Sequence, residues 1–384
     1  MNGDILSQLT ASSGYIVFLV TSAGLYSLFA LGLNLQWGLT GLINFGHVAF
    51  MTVGAYTTAL LTLQGVPLII AAIAGAGLAA LLGLAIGTST LRLREDYLAI
   101  VTIGVSELLR LVVLNEEWLT RGSFGVQRYP LPLNVRFNPI GELLLIGILT
   151  LLAIFAGWQL WQGLRRQWNE SQLIKDKRPT KRVSLIIWGI IATALILVIY
   201  VNGVIALSNY TYKAGLMLLV LLVLALVYNA LEFLARSPWG RILKAIREDE
   251  EIPRALGKNV FWYKLQAFML GGAIAGIAGA FFAWQLTTIY PTNFEPLLTF
   301  NAWIIVVLGG AGSNAGTLLG AVIFWAYDTL TRFLLPQIGI QIGITNEAQL
   351  GGLRIMIIGL ILMMLMIWRP QGILGKKEEL TLGR

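Results

Sequence analysis

The sequence predicts an all-α fold: a polytopic transmembrane helical bundle of about ten segments, some of them broken or re-entrant. Three observations lead there. Of 384 residues, 57% are hydrophobic and only 12% charged, with a mean hydropathy of +0.76; ordinary soluble domains carry about 25% charged residues. Apolar runs close to the roughly 20 residues that cross a bilayer recur along the whole chain. The 42 glycines suit closely packed membrane helices, because a missing side chain lets two backbones approach. Residues 1–384 read as a single transmembrane domain.

Taken in order, uninterrupted runs occupy 15–33, 67–88, 99–114, 142–161, 185–201, 214–235, 265–284 and 353–368. The opening MNGDILSQLTASSG lacks the basic start of a signal peptide, so the first run is expected to be retained. Two further apolar regions, 34–63 and 297–335, are punctuated by glycine and asparagine. The first holds Gly38, Gly41, Asn44 and Gly46, and the second holds Gly309, Gly310, Gly312 and Asn314. Lipid cannot satisfy the backbone groups that a break frees, so such segments are expected to face each other near a pathway. Gly46 precedes Gly54-Ala55 by the interval that separates Gly312 from Gly320-Ala321. That spacing fits inverted repeats, and it also fits chance in a chain this rich in glycine and alanine.

Basic residues set the expected orientation. They cluster at 91–97, at 165–182, across 236–264 and after Trp368, which places those segments inside. The stretches 115–141, 202–213 and 285–300 then lie outside, as does the N-terminus, with the C-terminus inside. Arg121, Arg128 and Arg136 run against this count and are outvoted. The insertion at 163–184 is expected to be a solvated cytoplasmic loop that fixes topology.

The charged island at 236–264 is different. Ile242, Leu243 and Ile246 fall on one face at helical spacing, and Arg241, Lys244 and Glu248 on the other. Pro253 is expected to interrupt this helix and Gly257 to stop it. Two readings fit: a docking helix for a soluble partner, or an interfacial helix resting on anionic lipid.

The residue inventory narrows the chemistry. A formal charge of +8 spread over short loops is not a nucleic-acid footprint. With no cysteine and a single histidine, thiolate chemistry and a multi-histidine metal site are out of reach. No GxxxxGK[ST], HExxH or GxSxG occurs, so the chain is expected to be no enzyme and to bind no cofactor. Ionisable residues inside apolar segments are His47, Glu107, Arg110, Asp328 and Arg332. Glu107 and Arg110 share a helix face, as a structural ion pair or as a polar patch on a solute path. His47, in NFGHVAF, is a brace for broken backbone or a substrate contact.

These motifs, in this order, resemble a known family. GLNLQWGLTGLINFGHVAFMTVGAYTTALL resembles the early segment of LivM-type permeases of branched-chain amino acid ABC transporters. RSPWGRILKAIREDEEIPRALGKNVFWYKLQAFMLGGAIAGIAGAFFA is similar to their cytoplasmic coupling loop and the following span. VVLGGAGSNAGTLLGA and RPQGILG are similar to the family's last signatures, so the likeness runs from about residue 31 to 374. TRGSFGVQRYPLP stands where relatives have a TGG-like motif, and with the 163–184 insertion this looks like the branch of cyanobacterial neutral amino acid transporters.

The resemblance implies a permease in the cell inner membrane, with alternating access driven by ATP bound on other subunits. Its partners would be a second homologous permease of the LivH type, two ATPase subunits and a periplasmic solute-binding protein. The family's coupling element maps onto Arg241, Arg247, Glu248, Asp249, Glu250, Ala255, Leu256 and Gly257, with Lys244 on the same polar face. Pro253, within Glu251-Ile252-Pro253-Arg254, departs from the family and is expected to shorten the coupling helix. Pathway and helix-break residues are expected to be Asn34, Asn44, Gly46, His47, Thr52, Glu107, Asn301, Gly309, Gly310, Gly312 and Asn314. Asn34, Asn44, Thr52 and Asn301 among Leu, Val and Phe suit neutral, mostly apolar amino acids. The alternatives are a urea or short-chain amide permease of the same transporter type, and a stand-alone secondary carrier.

Overall fold

The computed structural model describes residues 2–92, 95–135, 137–173, 179–342 and 346–375. Expectations resting on Arg94, Arg136, the 174–178 part of the basic run, Lys376 and Lys377 lie outside these residues. The helices in chain order are α1 (Asn2–Leu33), α2 (Val48–Leu63), α3 (Leu68–Thr90), α4 (Glu95–Asn115), α5 (Glu117–Thr120), α6 (Pro139–Leu173) and α7 (Pro179–Ser208). They continue with α8 (Tyr212–Arg236), α9 (Pro238–Glu248), α10 (Glu251–Ala255), α11 (Val260–Leu286), α12 (Leu297–Gly309), α13 (Asn314–Ile342) and α14 (Glu347–Trp368). Among the described residues, nine helical stretches are long and apolar enough to cross a membrane, and α2 is a shorter apolar helix beside them. The chain is a multi-pass helical membrane protein.

Two compact units make up the chain. The first comprises Met1–Thr21 and Pro132–Ala225. Its core is aliphatic: Val17 of α1, Leu145 and Leu149 of α6, Ala206 and Leu207 of α7, and Ala214, Met217 and Leu218 of α8. The outward faces of α6 and α7 carry exposed Leu143, Leu144, Leu151, Ile154, Ile190 and Leu197, as lipid contact requires. Tyr210, in the turn between α7 and α8, donates to Leu133 O at 2.5 Å and ties that turn to the segment before α6.

The second unit comprises Ser22–Leu131 and Leu226–Arg384. At its centre α2, α3 and α11 pack backbone to backbone. A Cβ on Gly54 of α2 would collide with the backbone of Gly276 in α11, and a Cβ on Gly75 of α3 would sit 2.8 Å from Gly54 O. Gly320 of α13 instead meets Ile305 and Gly309 of α12, so the two Gly-Ala pairs serve different contacts. Strands β1 (Val126–Gln127) and β2 (Thr288–Ile289) pair antiparallel, joining the 115–131 and 285–300 connections on one side of the bundle. Tyr129 donates to Ala283 O near the end of α11; burial pushes its phenol up, which keeps that donor protonated.

Three local expectations are corrected. The described parts of the 163–184 stretch are helical rather than loop: α6 runs to Leu173 and α7 begins at Pro179. Residues 164–173 contain no glycine or proline to stop α6, and proline is well suited to the first position of α7. The first interruption also falls later than Asn34, because Asn34–Gly38 continue α1 as one π turn. Finally, Pro253 does not break the charged helix. α9 starts on the Ser237 cap, with Pro238 at its first turn, and ends where Asp249 turns extended (φ −157°, ψ 116°). Pro253 sits in the first turn of α10, where an N–H has no intrahelical partner to lose, and Gly257 at φ 74° follows the end of α10.

The glycine packing is directly testable. Gly54→Ala should lower the thermal midpoint of the detergent-solubilised protein, by an amount equivalent to about 1–3 kcal/mol of overpacking. Gly77→Ala, on the open face of α3 with nothing within 4 Å of its Cβ, should not lower it.

Candidate functional site: a junction of two helix breaks

The first break follows Gly38. From there to α2 the chain runs without a regular helix over 39–47, through Gly41 at φ 82°. Such a stretch exposes backbone donors and acceptors that only protein groups can satisfy inside a bilayer. The side chains here do so. Buried Gln36 donates to Phe268 O of α11 at 2.9 Å and accepts from Asn44 Nδ2 at 2.8 Å. Asn44 Oδ1 in turn accepts from Gly46 N at 2.9 Å, and Asn44 O accepts from Trp303 Nε1 of α12 at 3.1 Å. Phe45 N donates to Thr102 Oγ1 of α4, and Val48 N, at the start of α2, donates to Thr299 Oγ1 of α12 at 2.9 Å.

His47 is wholly buried, its Nε2 donating to Phe29 O of α1 at 3.1 Å and its ring packed on Phe29 and Phe50. That geometry supports the brace reading. Gly46 must be glycine, because any Cβ there would run into the carbonyl of Thr102.

The second break follows Gly309. α12 stops at Gly310 (φ 115°), and Gly312 (φ 83°) turns the chain into α13. A helix end leaves carbonyls unpaired. Here Ile373 N donates to Leu308 O at 3.1 Å and Leu374 N to Gly309 O at 2.9 Å, so the RPQGILG segment closes the end of α12. The fit is tight: a Cβ on Gly372 would lie 2.5 Å from Gly310 Cα.

One residue joins the two breaks. Asn34, buried in the π turn, accepts from Gly312 N at 2.8 Å and donates to Asn314 Oδ1 at 3.1 Å. Asn314 passes the chain on, donating to Glu232 Oε2 of α8 at 3.2 Å, and Glu232 is held by Arg236 at 2.5 Å. The predicted pair of broken segments therefore meets side by side.

The charged helix reaches the same junction. Leu243 and Ile246 of α9 are buried, and Arg241 and Glu248 are exposed, in keeping with the amphipathic pattern. Lys244 is half-buried; Asp249, Ala255, Leu256 and Gly257 are exposed. Glu250 pairs with Arg254 at 2.8 Å and with Lys264 of α11, fastening α10 to the next span. Arg247 departs from the outward position expected of it. It is half-buried, and its Nη1 donates to Gly38 O, at the end of the π turn, at 2.5 Å.

Other expected pathway residues are placed as follows. Thr52 is buried, with its hydroxyl donating to Val48 O of its own helix. Asn34, Asn44 and Thr52 thus spend their polar groups on the protein. Asn301 is half-buried in α12. Glu107 and Arg110 form a two-point ion pair at 2.5 and 2.9 Å within α4. Asp328 binds Arg332 at 2.7 Å and lies 3.7 Å from Arg354 of α14. Sequence reasoning missed Gln36, Glu232, Thr299 and Arg354. Only Gln36, a polar residue beside a glycine break, carried a local signal.

Residues 15–368 match the family described as "Branched-chain amino acid transport system / permease component". The chain is 31% identical, over 93% of its length and 69% of the relative's, to the high-affinity branched-chain amino acid transport system permease protein LivM of Escherichia coli (strain K12). It is 23% identical, over 94% of each chain, to the corresponding protein BraD of Pseudomonas aeruginosa. A shorter match, 30% identical over 50% of this chain and 47% of the relative, is to the xylose transport system permease protein XylH of Escherichia coli (strain K12). No solved structure matches.

The junction makes its own prediction. Asn34→Leu would leave the Gly312 N–H and the Asn314 carbonyl without partners, at a cost of about 1–3 kcal/mol each. Hydrogen exchange should accordingly accelerate at the Gly312 amide, by about 10-fold or more, while exchange at Val306 inside α12 changes little.

Proposed function

Since the chain belongs to the branched-chain amino acid transport permease family, we propose that it is the transmembrane subunit of a binding-protein-dependent ABC importer for neutral, mostly apolar amino acids. The observation that carries this reading is α9. It is a stiff, capped helix with an exposed polar face, and its inner side is bonded to the end of the first broken helix. A soluble ATPase gripping Arg241, Glu248 and the exposed 255–257 turn would have a rigid lever rather than a loop to push on. A helix resting on lipid has no need of a bond into the bundle. A stand-alone carrier has no need of the helix.

On this reading the chain performs no chemistry and binds no cofactor; ATP is bound and hydrolysed on two partner subunits. A second homologous permease completes the membrane part, and a periplasmic binding protein delivers the solute. The protein sits in the inner membrane with its N-terminus outside and its C-terminus inside. That orientation puts β1, β2 and the Tyr210 turn on the outer face. The amino-acid substrate class is supported by the relatives LivM and BraD, both branched-chain amino acid transport system permease proteins.

Deleting the gene should abolish binding-protein-dependent uptake of labelled leucine or proline and leave urea uptake unchanged. Loss of urea uptake with leucine spared would replace this reading with the urea permease. Leucine transport by the chain expressed alone would replace it with a secondary carrier. Because the chain has no cysteine, single-cysteine labelling reads the orientation cleanly. Gln127→Cys should react with an impermeant thiol reagent from outside, and Arg241→Cys only after the membrane is opened.

A further inference from the structure

Within the charged island, Arg247 sends its side chain into the bundle to meet a helix break. Its stem crosses Gly41, where the nearest approaches to a built Cβ are 3.6–3.8 Å, and its guanidinium binds Gly38 O at 2.5 Å. Gly38 closes the π turn that Asn34 opens, and Asn34 Oδ1 holds Gly312 N at 2.8 Å. The spacing is compact, because a Cβ on Gly38 would overlap both Asn34 Oδ1 and Gly312 N. From α9 to the second break there are thus two hydrogen bonds and one helical turn. The first of these bonds is charge-assisted, the stronger class.

We propose that Arg247 is a positioning residue that transmits movement of α9 to both helix breaks at once, rather than a contact for the ATPase. The inference rests on the importer reading above and adds a division of labour within α9. Arg241 and Glu248 face the partner, and Arg247 faces the pathway. Pulling α9 draws Gly38 with it, and the Asn34–Gly312 bond carries that displacement into the turn between α12 and α13. Without the Arg247 bond, α9 would move on its apolar packing alone and the junction would lag behind it.

The test uses the complete transporter in proteoliposomes and reads ATP hydrolysis and leucine uptake together. Arg247→Met keeps the stem and removes the donor. It should leave binding-protein-stimulated hydrolysis within about 2-fold of wild type while uptake per ATP falls about 10-fold, the weight of one charge-assisted hydrogen bond. Arg247→Lys, which keeps a cationic donor, should restore part of that ratio. Arg241→Met should instead lower hydrolysis and uptake in parallel. Parallel loss in Arg247→Met would make Arg247 a docking residue, and an unchanged uptake-to-hydrolysis ratio would leave it no role in transmission; either outcome overturns the proposal. Hydrogen exchange on the isolated chain provides an arm that needs neither assembly nor a transport assay. The Gly312 amide should exchange faster in Arg247→Met than in wild type, and equal rates would sink the link. A wild-type transporter that moves no neutral amino acid would refute the importer reading, and the exchange arm would still judge Arg247.

Discussion

Backbone groups freed inside a membrane must find partners within the protein, and the architecture around the two helix breaks follows from that demand. Each break is made where glycine permits the turn and is then closed by groups distant in sequence. Asn44 and Gln36 serve the first, and the 373–374 amides serve the second. Asn34 serves both. A polar side chain that is buried because it satisfies two other segments fixes their relative position more firmly than apolar contact does, since a slip of about an ångström forfeits hydrogen bonds rather than area.

The surrounding helices make this arrangement stiff. Glycines at Gly54, Gly75 and Gly276 allow α2, α3 and α11 to pack at backbone distance, and Gln36 then fastens the π turn to Phe268 of α11. The charged island reaches the same framework, through Glu250 to Lys264 and through Arg247 to Gly38. On the importer reading, force applied to α9 would reach both breaks through these bonds. For an importer, that is a physical basis for coupling without any catalytic group in the membrane chain.

Much of this was legible in the sequence for identifiable reasons. Apolar runs report spans because bilayer thickness sets their length. Closely spaced glycine and asparagine inside such runs reported the breaks, because left-handed turns and freed backbone groups call for them, whereas isolated glycines such as Gly54 sit inside unbroken helices. The amphipathic period in 238–248 reported which face of α9 is buried. Other features needed coordinates. Arg247 stands four residues after Leu243 and so shares its buried face by period; its charge, not its spacing, suggested an outward position. Phe268 O, bound by Gln36, and Gly312 N, bound by Asn34, lie more than 230 residues away, and a single sequence does not encode which polar group meets which. Pro253 was given too much weight, because a proline in a first helical turn costs nothing that the turn had not already lost. The 163–184 stretch was read as loop from its charge alone, although charged residues with good helix propensity continue a helix beyond the bilayer.

The central claim is that α9 and the two breaks move as one body. It is tested most directly by distances between spin labels in the assembled transporter, with and without bound ATP. One pair of labels would join Ala245→Cys on α9 to Ala311→Cys in the second break, and another would join Ala311→Cys to Trp118→Cys on α5. The account predicts that the first distance stays the same on ATP binding while the second changes. A first distance that changes while the second stays fixed would show α9 moving without the junction, and would contradict it.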